Sequence, residues 1–186
     1  MRIVGGRLRG RRLATPTSQA IRPTTDRIRE SLFNILESAH RDRLTGARVL
    51  DVFAGTGALG IEAISRGAQF ALFMDSAVQA RALLRRNIDD LRLGGTIQIH
   101  KRDALRPGRC HPREPFDLVF ADPPYGKGLG EQALAALRRG GWFANETLIV
   151  LEEEKGALPS TLDGLRQMDR RDFGSTSIGF FENAAA

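Results

Sequence analysis

The stretch ADPPYG, residues 121–126, puts a carboxylate, two prolines, the chain's single tyrosine and a glycine at the tip of the apolar run FDLVF (116–120). Two prolines end a strand, because neither donates a backbone N–H, and they fix the direction of the adjoining carbonyl. Asp122 and the Pro123 carbonyl can then each accept one N–H from the same amine. An aryl amine is a poor nucleophile, since its lone pair is delocalised into the ring. Held by two acceptors, its nitrogen becomes more pyramidal and aims that pair at an electrophile. The Tyr125 ring can stack on a flipped base, and Gly126 leaves room for it. The alternative is a plain strand-ending turn with a surface tyrosine.

A second stretch, DVFAGTGALG (51–60), is rich in glycine. Gly55, Gly57 and Gly60 match G-x-G-x-x-G, and Asp75 is placed to take a ribose hydroxyl. A tight turn without a ligand fits the same residues. Two features weigh against a nicotinamide cofactor. The place of a second mononucleotide-binding half is taken by ADPPYG, and Asp51 is a poor neighbour for a pyrophosphate. A carboxylate there suits a ligand with an ammonium group. S-adenosylmethionine carries an ammonium, a sulfonium, a ribose diol and an adenine.

The elements that must position these residues alternate. Strands are predicted at 47–54, 70–75, 96–103, 116–122 and 147–154, with a closing pair at 164–182 joined near Gly174-Ser175. Helices are predicted at 22–38, 59–67, 76–93 and 130–142. Thr24 or Thr25 can cap the first helix and Ser76 the third. Such alternation implies a parallel sheet with helices on both faces and one antiparallel strand near its edge. Ligands of such sheets sit beyond the carboxyl ends of the strands, where Asp51, Asp75, Asp103 and Asp122 all fall. A strand-end cap is the alternative for Asp103. The EEE at 152–154 reads as a solvated strand end rather than an acid–base pair, with Glu152 the one of the three that could touch the site.

At 186 residues the chain fits a single domain of 22–186 behind a basic arm of 1–21. The formal net charge is +6, and Arg2, Arg7, Arg9, Arg11, Arg12 and Arg22 all precede Asp26, the first acid. Such a block marks a polyanion-binding arm or a solvated basic end. Its apolar content is expected to be too small to pack into the core. One cysteine, no long apolar run and no apolar leader lead us to expect a cytoplasmic protein off the membrane. His40, His100, His111 and Cys110 have no metal-ligand spacing.

DVFAGTG resembles the first motif of class I methyltransferases, and DPPY the fourth motif of those that modify exocyclic or amide nitrogens. With RPTTDRIRESLFNIL (22–36), RIVGGRLRGRRL (2–13) and GFFE (179–182), nearly the whole chain resembles the 16S ribosomal RNA guanine-N2 methyltransferases of the RsmD type. The resemblance implies a Rossmann-like, mostly parallel seven-stranded sheet with a small N-terminal extension. It implies a small monomeric enzyme that methylates one guanine of 16S ribosomal RNA, of the guanine-966 type, on bare RNA or on an assembly intermediate. S-adenosyl-L-methionine would be the donor. Ala54, Gly55 and Gly57 would pass its methionine and ribose portion. Asp75, beside Ser76, would accept from both ribose hydroxyls. Asp103, with Ala104 nearby, would meet the adenine amine, and Asp51 would orient the glycine loop. Asp122, Pro123 and Tyr125 would be catalytic. Arg22, Thr24 and Arg27 would lie near donor or base, and Arg7, Arg9, Arg11 and Arg12 would grip phosphates. Asp75 stands where glutamate is expected, so the ribose contact would be looser or water-bridged. A DNA adenine-N6 methyltransferase uses the same turn but usually inserts a target-recognition region. Protein glutamine methyltransferases favour asparagine at its first position. A catalytically silent RNA-binding protein on the same scaffold is the remaining alternative.

Overall fold

A computed structural model describes residues 1–16 and 25–183. Seven strands form one sheet: β1 (Arg48–Val52), β2 (Phe70–Met74), β3 (Ile97–His100), β4 (Phe116–Ala121), β5 (Phe143–Glu154), β6 (Leu165–Phe173) and β7 (Thr176–Asn183). Their order is β3-β2-β1-β4-β5-β7-β6. β1 to β5 run parallel, and β7 is antiparallel to both β5 and β6. This is the class I methyltransferase sheet expected from the sequence. The connection order reverses between β1 and β4, which opens a crevice at their carboxyl ends.

Four helices cover the sheet: α1 (Asp26–Ala39), α2 (Ala58–Ser65), α3 (Val78–Leu91) and α4 (Leu129–Arg139). Leu118 and Phe120 of β4 pack into the core shared with Phe33 of α1, Ile61 of α2 and Leu84 of α3. Val119 and Ala121 point to the other face, into the core with Leu134 and Leu137 of α4 and Trp142. Burial on both faces explains the continuous apolar runs of β1, β2 and β4. β6 is an edge strand, and its exposed charges (Arg166, Arg170, Arg171, Asp172) discourage pairing with another chain.

The element ends have local causes. Thr25 caps α1, its Oγ1 accepting from the Ile28 N–H at 3.3 Å. Ser76 does not cap α3, whose flanking residue is Ala77 with no side-chain cap. Asp75 Oδ1 instead accepts the Ala77 N–H at 2.8 Å.

The opening segment corrects the expectation of an arm outside the core. Ile3, Leu8 and Leu13 are buried in the core with α1, α2 and α3. The Ile3 N–H donates to the Arg11 carbonyl and the Gly10 N–H to the Ile3 carbonyl, both at 2.9 Å, around a 3-10 turn at Gly6–Leu8. Glu62, buried on α2, accepts the N–H groups of Val4 at 2.9 Å and Gly5 at 2.7 Å. Arg29 Nε lies 3.5 Å from the same carboxylate, and Arg29 Nη2 donates to the Arg2 carbonyl. Gly6 has φ +69°, and a Cβ there would lie 2.0 Å from the Ser65 carbonyl oxygen. Three apolar side chains at about 1.5–3 kcal/mol each suffice to seat a short segment, and Gly6 lets it pack closely on the end of α2.

Candidate active site

The loop from β1 to α2 starts the site. Phe53, Gly55 and Gly57 all have positive φ, at 59°, 54° and 78°. The Gly57 N–H closes the turn on the Ala54 carbonyl at 2.7 Å. A Cβ on Gly57 would meet Leu84 Cδ1 at 2.3 Å, and one on Gly60 would meet Phe73 Cε1 at 2.5 Å. These two glycines let the loop pack against α3 and β2. Gly55 differs, because the only atom near a Cβ there is the Phe53 carbonyl oxygen at 3.9 Å.

Asp75 follows β2 and holds the loop from the side. Its Oδ2 accepts the Gly55 N–H at 2.9 Å while Oδ1 binds Ala77. Each carboxylate oxygen keeps a further lone pair for a ligand. Asp51, on β1, is buried, and its Oδ2 accepts the Gly60 N–H at 2.9 Å. Burial, with the nearby Asp75 charge, pushes the Asp51 carboxyl up to about 8, against the opposing pull of the Gly60 N–H.

These groups border a cavity of about 490 Å³ over the carboxyl ends of β1, β2 and β4. Asp51, Ala54 and Gly55 line it from β1, Asp75 and Ser76 from β2, and Asp122, Pro123 and Tyr125 from β4. The strand ends thus gather three acids, the outer glycine and the proline turn around one space. Gly57 is close by in the loop but turns into the core. Asp103 does not line the cavity; it is exposed, and its Oδ1 accepts the Leu105 N–H at 2.9 Å. Ala104 is buried in the core with α4. Arg27 is exposed in the first turn of α1 and lines no part of the cavity. Arg22 and Thr24 lie outside the described residues.

The basic segment divides. Arg7, Arg9 and Arg12 are exposed and make no ion pair among the described residues. Arg11 is exposed as well, but its Nη2 donates to the Asp90 carbonyl near the end of α3 at 3.1 Å.

Two further residues meet the site, Glu152, which the sequence favoured as part of a solvated strand end, and Met1, which it missed. Glu152 is not solvated; it is 4% exposed, as is Glu153. Tyr125 Oη donates to Glu152 Oε1 at 2.9 Å and lies 3.4 Å from Thr176 Oγ1. Burial raises the Tyr125 phenol, and the Glu152 charge adds to it, so the hydroxyl stays protonated and able to donate. The signal for Glu152 was its place at the carboxyl end of a central strand. Met1 also lines the cavity, 3.8 Å from Thr56 Oγ1 through its sulfur, and no pattern in the sequence marked it. Among the described residues no group of three His, Cys, Asp or Glu side chains is placed to hold a metal.

Residues 1–182 match the family described as Conserved hypothetical protein 95. Ribosomal RNA small subunit methyltransferase D of Escherichia coli K12 is 40% identical over 163 residues, 86% of this chain and 78% of that protein. The putative rRNA methyltransferase YlbH of Bacillus subtilis strain 168 is 31% identical over 185 residues, 98% of each. Among solved structures, the putative methyltransferase yhhF from Escherichia coli matches with a TM-score of 0.83 and 34% identity, covering 100% of this chain and 99% of that one. With the sheet order and the crevice already those of the class I fold, identities of this size over this much of each chain establish that it belongs to the ribosomal RNA small subunit methyltransferase D family and is an enzyme of the methyltransferase class.

Proposed function

We propose that the chain methylates the exocyclic N2 amine of one guanine in 16S ribosomal RNA, guanine 966 in the family's type, with S-adenosylmethionine as donor. The observation that carries this reading is that Asp122 and the Asp75–Gly55 pair border the same cavity. Its volume of about 490 Å³ suits a small ligand, whose sites span roughly 300–1,000 Å³. The residues fit the donor. Asp75, already braced by two backbone N–H groups, has lone pairs left for the ribose hydroxyls. The open side of Gly55, with Ala54 and Ser76, takes the adjoining portion. Asp51 sits where an ammonium group would favour its ionised form.

The donor supplies an electrophilic methyl group on a sulfonium. Asp122 and the Pro123 carbonyl each accept one N–H of the guanine amine, and Tyr125 stacks on the flipped base. With the donor bound, the amine nitrogen so held would bond to its methyl carbon as the carbon–sulfur bond gave its electron pair to sulfur. The extra proton on nitrogen then passes to solvent. Positioning and local electrostatics supply the acceleration. The relatives' names support an RNA target. So does the short connection from β4 to β5, whose one helix, α4, leaves no room for a separate target-recognition region.

Asp122→Ala tests the assignment. Donor affinity by calorimetry should stay within about threefold, while single-turnover methylation should fall by roughly 10²-fold or more, the scale of losing one well-placed polar group. Near-normal turnover would remove Asp122 from the chemistry.

A further inference from the structure

Asn87 on α3 is buried, and the chemistry proposed above makes no use of it. Its Oδ1 accepts the Ala14 N–H at 2.7 Å. Its Nδ2 donates to the Thr56 carbonyl at 2.9 Å and to the Ala14 carbonyl at 3.3 Å. One amide therefore bonds the glycine loop and the end of the basic segment together. Ala14 follows closely on Arg12, which is exposed, as are Arg7 and Arg9. Thr56 lies between Gly55 and Gly57, both at positive φ. A loop of this kind has little stiffness of its own, and its place depends on what its carbonyls and side chains are bonded to. The Met1 sulfur against Thr56 Oγ1 is a second tie between the same two stretches.

We infer that Asn87 is a positioning residue that links two binding events, so that donor seated on the glycine loop and RNA gripped by the N-terminal segment each tighten the other. The inference rests on the functional reading given above. Its physical content is that displacement of either stretch breaks bonds that also hold the other. Any such linkage is reciprocal in binding.

Asn87→Asp isolates the link. It keeps an acceptor for the Ala14 N–H and nearly the same volume, but sets an oxygen where Nδ2 had donated to the Thr56 carbonyl and, at longer range, to the Ala14 carbonyl. Affinity for a 16S ribosomal RNA fragment is measured with and without saturating S-adenosylhomocysteine. In the unaltered protein that product should tighten RNA binding about fivefold or more, the low end of usual couplings. In Asn87→Asp the ratio should drop to about one. A purely structural role lowers the melting temperature or both affinities and leaves the ratio intact, and that result overturns the proposal. Hydrogen exchange on the unaltered protein gives a second measurement that needs neither RNA nor a variant. S-adenosylhomocysteine alone should slow exchange of the Ala14 N–H, which does not line the cavity; unchanged Ala14 exchange in the bound protein overturns the link. Absence of RNA binding by the unaltered protein overturns the proposal together with the RNA reading, and the exchange result separates that failure from a failure of the link.

Discussion

Asp51 in β1 and Asp103 just past β3 are the same residue type toward the carboxyl side of one sheet, yet one is buried and the other exposed. Asp51, pushed up to about 8, holds its proton in the folded chain through a range where the unfolded chain, near the ordinary carboxyl value of 3.8, has lost it. Between those values the folded state binds the extra proton, so this group lowers stability as pH rises from about 4 to about 8 and has no further effect above that. Asp51→Asn keeps an acceptor for the Gly60 N–H and removes the titration. Its stability advantage over the unaltered protein should therefore grow by about 2–4 kcal/mol between pH 5 and pH 8. Denaturant unfolding at the two pH values measures this, and equal differences at both would show that Asp51 is not held protonated. The cavity positions of Asp75, Asp122 and Tyr125 were legible because each residue type stood in the strand-end context that the role proposed for it requires. For Asp103 the sequence left a donor contact and a strand-end cap both open, because a short acid at a turn competes for the nearest backbone N–H, and the bond from the Leu105 N–H matches the cap.

At the element scale, β4 and β5 meet through side chains that the strand pattern did not reveal. Tyr125, just past β4, is tied to Glu152 near the end of β5. This bond fixes the ring at the lip of the cavity. Tyr125→Phe and Glu152→Ala should each lower kcat/KM for RNA by roughly tenfold, the scale of one hydrogen bond to a charged group. Together they should cost little more than either alone, because they break the same bond. Glu152→Gln, which can still accept from the phenol, should recover most of the activity. Steady-state kinetics on the four proteins checks this, and fully additive losses would count against a shared role. The seven strands and four helices were readable from alternating apolar runs and helical stripes. The N-terminal packing was not, because Ile3, Leu8 and Leu13 follow neither a strand nor a helix period. Their burial depends on Glu62 and Ser65, more than fifty residues away, accepting backbone N–H groups of Val4, Gly5 and Leu8.

Over the whole molecule, charge is distributed in two ways. Along β6, Arg170 pairs with Asp172, Arg171 with Asp169, and Arg166 with Glu182. Arg7, Arg9 and Arg12 have no such partner among the described residues and remain available to phosphate. Changing these three to Gln should flatten the slope of log RNA affinity against log salt by about two units, at about 0.7 per phosphate contact on single strands. Melting temperature should hardly move. Arg11→Gln should act differently and lower stability by about 0.3–1 kcal/mol, since its guanidinium serves the carbonyl end of α3. Binding across a salt series, with thermal melts, measures both effects, and parallel slopes would leave the segment no part in gripping RNA. The central claim, methylation of guanine N2 in 16S ribosomal RNA through Asp122, is met most directly by nucleoside mass spectrometry of that RNA from cells lacking the protein. The account predicts the loss of one N2-methylguanosine, restored by the unaltered chain and not by Asp122→Ala. An unchanged N2-methylguanosine content, or the loss of a different methylated nucleoside, would contradict it.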